Sequence, residues 1–243
     1  MAILTVSAIS IFLAYNQEIK LSTGMQTDAE PSVVTLDDLT SDGKYVLYEN
    51  GKLTIDDFNV IKTEPTDPGV AGTHVRFLEP NYDTKIVNDD PCEYQIINYE
   101  TKAQFLPALT WIDMEKAEKV GIPTVLNHEQ RHFDIQEIYA KIINTEMNSQ
   151  FAKHNFPCSN VDENDLDSAN HQDAREGIWK IRVFFEDLTY TSQKSYDDET
   201  TPANIIDKQK NQIVWDKKID ACLSYDGRYE LQGCIKLNEF RLE

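Results

Sequence analysis

Between Pro123 and Pro157 the chain carries neither glycine nor proline. No other feature constrains the fold as strongly. A break-free stretch of this length, with Gly121 before it and Pro123 suited to a first helical turn, predicts one long α-helix. Ile135, Ile138, Tyr139, Ile142 and Ile143 recur along it at helical spacing, and His128 and His132 continue the stripe towards its N-terminal end. Both histidines are therefore expected on the inward face.

That spacing has chemical consequences. Residues four apart on a helix lie about 40° apart around its axis and one turn apart along it, so the imidazoles of His128 and His132 can reach one ion. Neutral imidazole suits zinc. Glu129 sits about 100° around from the first ligand, where its carboxylate can meet water at the metal without entering the coordination sphere. Zinc lowers the pKa of such a water to roughly 7. Glu129 is then the expected general base, taking a proton as the water attacks a carbonyl and passing it to the leaving amine. A bare His-x-x-x-His pair is also compatible with ordinary helix residues paired with acids or backbone. The inward stripe and the intervening glutamate favour metal binding here.

The rest of the sequence predicts an α+β fold, a small N-terminal β-sheet followed by a helical half. Lys44 to Tyr48, His74 to Phe77 and Tyr94 to Tyr99 carry β-branched and aromatic residues between turn formers. Asn50-Gly51 predicts a hairpin between Tyr45–Tyr48 and Leu53–Ile55. Two further helices are expected, roughly Asp165 to Lys194 and Ile205 to Leu223. No linker after Phe58 is long enough to force a domain boundary, so residues 23–243 are expected to form a single domain.

Charge narrows the partners. With 42 acidic against 23 basic residues the formal net charge is −19, a field that repels a phosphate backbone and excludes nucleic acid as an expected partner. Ala2 to Ala14 is an apolar run of the length of a signal-peptide core, too short to span a bilayer. Residues 1–22 are accordingly read as a signal peptide or apolar N-terminal segment, although no Lys or Arg precedes the run. The expected location is outside the cytoplasm, whether secreted, periplasmic or at the cell surface, with no stable membrane span. Four cysteines, at 92, 158, 222 and 234, lack C-x-x-C spacing and leave three disulfide connectivities open. A Tyr225-Asp226-Gly227 turn signal could fold Cys222 back on Cys234. Nothing in the spacing selects a pairing of Cys92 with Cys158.

The stretch His128-Glu129-Gln130-Arg131-His132-Phe133-Asp134-Ile135 resembles the HEQxHFDI signature of a family of bacterial secreted domains, described as zinc-dependent proteases of otherwise unknown function. Other segments resemble that family in order. Leu53 to Phe58 is similar to its LTWxDF, Thr110-Trp111 to its Ser-Trp, Tyr196 to Thr200 to its YDxxT, and Gln212 to Trp215 with Ile219 to its QxxW followed by Ile. The resemblance spans roughly Leu53 to Leu223 and implies a zincin-like fold and a zinc metallopeptidase acting on peptide or protein substrates.

One departure bears on mechanism. The family's YDxxT is followed, one residue on, by His-Gly, whereas this chain has Pro202 and Ala203. A catalytic zinc site usually has three protein ligands, and Ile138 occupies the position of a third histidine ten residues after His128. Asp134 is turned about 120° from His128 and suits a supporting role. Within the matched motif Asp197 is the first choice for the third ligand, with Tyr196 beside it as a donor to the developing oxyanion. Asp198, Glu199, Glu176 and His171 are reserves. The alternative is a catalytically silent relative that keeps the fold for a structural or protein-interaction role.

Overall fold

The computed structural model of the protein describes residues 45–62, 69–158, 172–201 and 205–224. The chain divides into residues 1–44 and Tyr45–Glu243, and the described residues all belong to the second unit. The apolar run of Ala2 to Ala14, Pro202, Ala203, His171 and Cys234 lie outside the described residues.

The architecture is α+β. The strands are β1 (Val46–Leu47), β2 (Asn59–Ile61), β3 (Ala71–Gly72), β4 (Val75–Phe77), β5 (Asn81–Asp89), β6 (Cys92–Glu100), β7 (Ala103–Phe105), β8 (Trp111–Asp113) and β9 (Phe156–Pro157). The helices are α1 (Met114–Val120), α2 (Ile122–Phe151), α3 (Gln172–Thr200) and α4 (Ile205–Leu223). The strands form three small sheets rather than the single one expected, in the orders β1-β7-β4, β2-β8-β3 and β5-β6-β9. Only β2 with β8 is parallel among these pairs.

The Asn50-Gly51 hairpin does not form. β1 pairs instead with β7, Val46 opposite Phe105, and Gly51 closes a 3-10 turn at φ +117°. The competing interaction is packing on α2. Leu53 and Phe58 are buried, and the Leu53 N–H donates to Gln130 Oε1 at 2.8 Å.

Helix α2 follows the break-free stretch closely. Gly121, at φ +102°, ends α1 and begins α2 in a backbone conformation that an L side chain rarely adopts. Helix α1 was not anticipated. Its signal is Asp113, whose side chain caps the helix by accepting from the Lys116 N–H at 3.2 Å. Helix α3 runs on to Thr200, beyond the Lys194 limit expected, because nothing between Gly177 and Pro202 interrupts it. The acidic residues 197–199 consequently lie in the last turn of a helix.

Two apolar clusters flank α2. Ile135, Ile138, Tyr139, Ile142, Ile143, Met147 and Phe151 pack with Ile181 and Phe185 of α3, Trp215 and Ile219 of α4, and Tyr94, Ile96 and Tyr99 of β6. Val125 and Phe133 pack instead with Leu53, Phe58, Phe105 and Ile112. Each large side chain so buried contributes about 1.5–3 kcal/mol. Polar clamps add register, because Asn144 and Asn148 each pair with both backbone groups of one residue, Thr101 and Tyr99 respectively. A Cys92–Cys158 disulfide, Cα atoms 5.2 Å apart, ties the start of β6 to the end of β9. Cys222 is disulfide-bonded as well. No helix among the described residues is long and apolar enough to cross a membrane.

Candidate metal centre

Three ligand atoms converge where α2 meets the last turns of α3. His128, His132 and Asp197 each offer one atom, all within 4.8 Å of one another. Asp197 Oδ1 lies 3.2 Å from His128 Nε2 and 3.0 Å from His132 Nε2. Two zinc ligands bound at about 2.0–2.1 Å with tetrahedral angles stand about 3.3 Å apart. The donor set thus fits a metal ion, with two imidazole nitrogens, one carboxylate oxygen and, among the described residues, no fourth side chain of this type in the group.

The tautomer of His132 supports the fit. Gln193 Nε2 donates to the His132 carbonyl at 2.8 Å, which fixes the amide's orientation and leaves Gln193 Oε1 hydrogen-bonded to His132 Nδ1. Nδ1 must therefore carry the hydrogen. In a neutral ring, Nε2 then presents a lone pair to a carboxylate oxygen, an arrangement that requires a cation between them, either a proton or a metal. Burial alone would lower the His132 pKa, but Asp197, Glu129 and Gln193 outweigh it and raise it. Burial likewise opposes charge on Asp197, and hydrogen bonds from His128 and His132 overcome it, holding the carboxyl well below the usual carboxylate range.

Tyr196 is fully buried. Its ring stacks on His128 at 4.7 Å between centroids and meets His132 edge-on at 5.0 Å. The hydroxyl accepts from Gln212 Nε2 at 2.8 Å and donates to the His128 carbonyl at 3.3 Å. Burial pushes its pKa far above the ordinary phenol value. Helix α4 supports this wall, with Trp215 edge-on to Tyr196 and its Nε1 donating to Glu199 Oε2 at 2.8 Å. Among the reserve ligands, Glu199 is therefore engaged with Trp215, and Asp198 pairs with Lys194.

Glu129 is 5% exposed, and its carboxylate makes no hydrogen bond among the described residues. Its neighbours on the motif are anchored. Asp134 accepts from Tyr48 at 2.9 Å, Gln130 at 2.8 Å and Arg131 at 2.7 Å. Arg131 also reaches Asp216 at 2.9 Å and Asp220 at 2.7 Å, binding α2 to α4. Every position from His128 to Asp134 thus either meets the candidate site or fixes the helix that carries it.

Gln193 was missed by sequence reasoning. Its signal was positional, because Gln193, Tyr196, Asp197 and Thr200 stand at i, i+3, i+4 and i+7 and share one helical face once α3 is extended to Thr200. Arg131, Asp216 and Gln212 gave no separate signal of their ion-pair and hydrogen-bond partners. Comparison of the chain with protein-family models, with curated proteins and with solved structures finds no match.

Proposed function

We propose that the chain is a zinc-dependent metallopeptidase of the zincin-like type, acting on peptide or protein substrates. The observation that carries the proposal is the convergence of His128, His132 and Asp197 beside a buried Glu129 whose carboxylate makes no hydrogen bond among the described residues. A structural metal site has no use for a free carboxylate one residue from a ligand. When bound, zinc supplies a Lewis acid that acidifies water and polarises a carbonyl. Glu129 accepts the proton that the water loses and delivers it to the departing amine. Gln193 holds His132 with its lone pair outward, and Tyr196 holds both imidazoles through its ring. An oxyanion-binding role for the Tyr196 hydroxyl requires it to release Gln212 and the His128 carbonyl. Disulfides persist in oxidising compartments, so the Cys92–Cys158 bridge supports an exported location.

The test is zinc content and peptide turnover on the same preparations. Wild type is expected to carry about one zinc per chain, lost in His128→Ala and in His132→Ala. Glu129→Gln is expected to keep zinc while turnover falls about 10²- to 10⁴-fold. Unchanged zinc in both histidine variants ends the proposal. A zinc-loaded wild type that cuts no peptide favours a silent zincin-like domain with a structural or interaction role.

A further inference from the structure

Helix α2 repeatedly uses amide side chains to grip extended backbone. Asn144 accepts from the Thr101 N–H and donates to the Thr101 carbonyl, both at 2.8 Å. Asn148 grips Tyr99 in the same way, at 3.0 and 2.8 Å. Gln130 accepts from the Leu53 N–H at 2.8 Å. Asn127 and Gln150 reach the carboxylates of Asp216 and Glu146 instead, and Gln136 differs from all of these. It is 4% exposed, yet among the described residues it makes no hydrogen bond. Thr73 Oγ1 is the one fully sealed side-chain polar atom without a partner among them, so the Gln136 amide keeps an opening to solvent. A buried amide left unpaired is destabilising, and this one is retained next to the candidate metal centre.

Its position gives the reason. Gln136 stands one turn beyond His132, and seven residues from Glu129 bring the two within about 20° of each other around α2. The carboxylate and the amide, both without a hydrogen bond among the described residues, therefore occupy one face, with His132 between them in height. We infer that Gln136 aligns the substrate, pairing its amide with the N–H and C=O of an extended peptide as Asn144 pairs with Thr101. This rests on the peptidase reading. Four helical residues advance about 6 Å and an extended chain advances about 3.3 Å per residue. The gripped peptide group is then about two residues from the bond being cut. Substrates are extended segments of several residues, and a dipeptide gains nothing from Gln136.

The experiment begins with zinc-loaded wild type and a degenerate library of end-blocked octapeptides, with cleaved sequences read by mass spectrometry. If none is cut, the peptidase reading fails and this inference falls with it. A cleaved octapeptide is then titrated calorimetrically into Glu129→Gln, with and without Gln136→Met. Loss of two hydrogen bonds is expected to raise Kd about tenfold, and in the Glu129 background KM for the octapeptide is expected to rise more than kcat falls. An unchanged Kd overturns the inference while leaving the peptidase reading intact. A series of octapeptides with one backbone N–H replaced by an ester oxygen keeps the test independent of the variant's folding. One ester, about two residues from the cut bond, should weaken binding to Glu129→Gln several-fold, and Gln136→Met should add little to that loss. Equal binding across the series, or a full further loss in Gln136→Met, overturns the inference.

Discussion

The two halves of helix α2 are held by different forces. From Ile135 to Phe151 its buried face is almost wholly apolar and packs against α3, α4 and β6. From His128 to Asp134 it is polar apart from Phe133, which packs in the second apolar cluster, and it is fixed by Arg131, Gln130, Tyr196 and Gln193 at distances of 2.7–3.3 Å. Apolar burial is non-directional and scales with area, whereas hydrogen bonds to defined atoms specify position and contribute little net stability each. One half supplies the free energy that keeps the helix docked. The other half sets where two imidazoles point.

The largest expected effect lies in the apolar half. Phe151→Ala removes a fully buried ring and should cost about 3–5 kcal/mol, read as a lower urea midpoint with unchanged m and unchanged zinc per folded chain. A parallel drop in zinc affinity of the folded protein would show that the halves are not separable. Next comes the bridge that staples β6 to β9. Replacing Cys92 and Cys158 by alanine opens a cross-link with a sequence separation of 66, and should cost about 2–4 kcal/mol, again without loss of zinc. Equal denaturant midpoints for oxidised and bridge-free protein would count against it. The smallest stability effect belongs to the polar half. Gln193→Ala should leave the urea midpoint of the metal-free protein nearly unchanged while weakening zinc about 10- to 100-fold, measured by competition with a chelating dye. Gln193→Glu, which can still accept from Nδ1, should recover most of the affinity, and a variant whose stability fell while its zinc affinity held would reverse the assignment.

Legibility in the sequence followed the distance over which each signal acts. His128, Glu129 and His132 share one turn, so helix geometry alone relates them. The limits of α2 were legible because glycine and proline punctuate them. Asp197 is 69 residues from His128, and only its place in a recognisable motif brought it forward. Gln193 carried no motif, and its role emerges only when α3 is seen to run past Lys194. The sheets were the least legible part. Val46 finds Phe105 and Asn59 finds Trp111, pairings that local turn signals cannot encode, and the Asn50-Gly51 signal was overridden by the burial of Leu53 and Phe58 against α2. Thr200 and Trp215 were legible as motif members without their reasons. Thr200 donates to the Tyr196 carbonyl at 2.6 Å and Trp215 supports the Tyr196 ring.

The division of the ligands between α2 and α3 has a thermodynamic consequence. Two donors stand on one helix and the third on another, so an ion held by all three binds the docked pair and has no equal site on the separated helices. Free metal then becomes a variable of the folding equilibrium, through the mass-action relation between ligand concentration and stability. At a free-ion concentration of one hundred times Kd the docked state gains about 2.7 kcal/mol. The melting temperature of this protein would climb logarithmically with added metal, and a chelator would act on it as a denaturant.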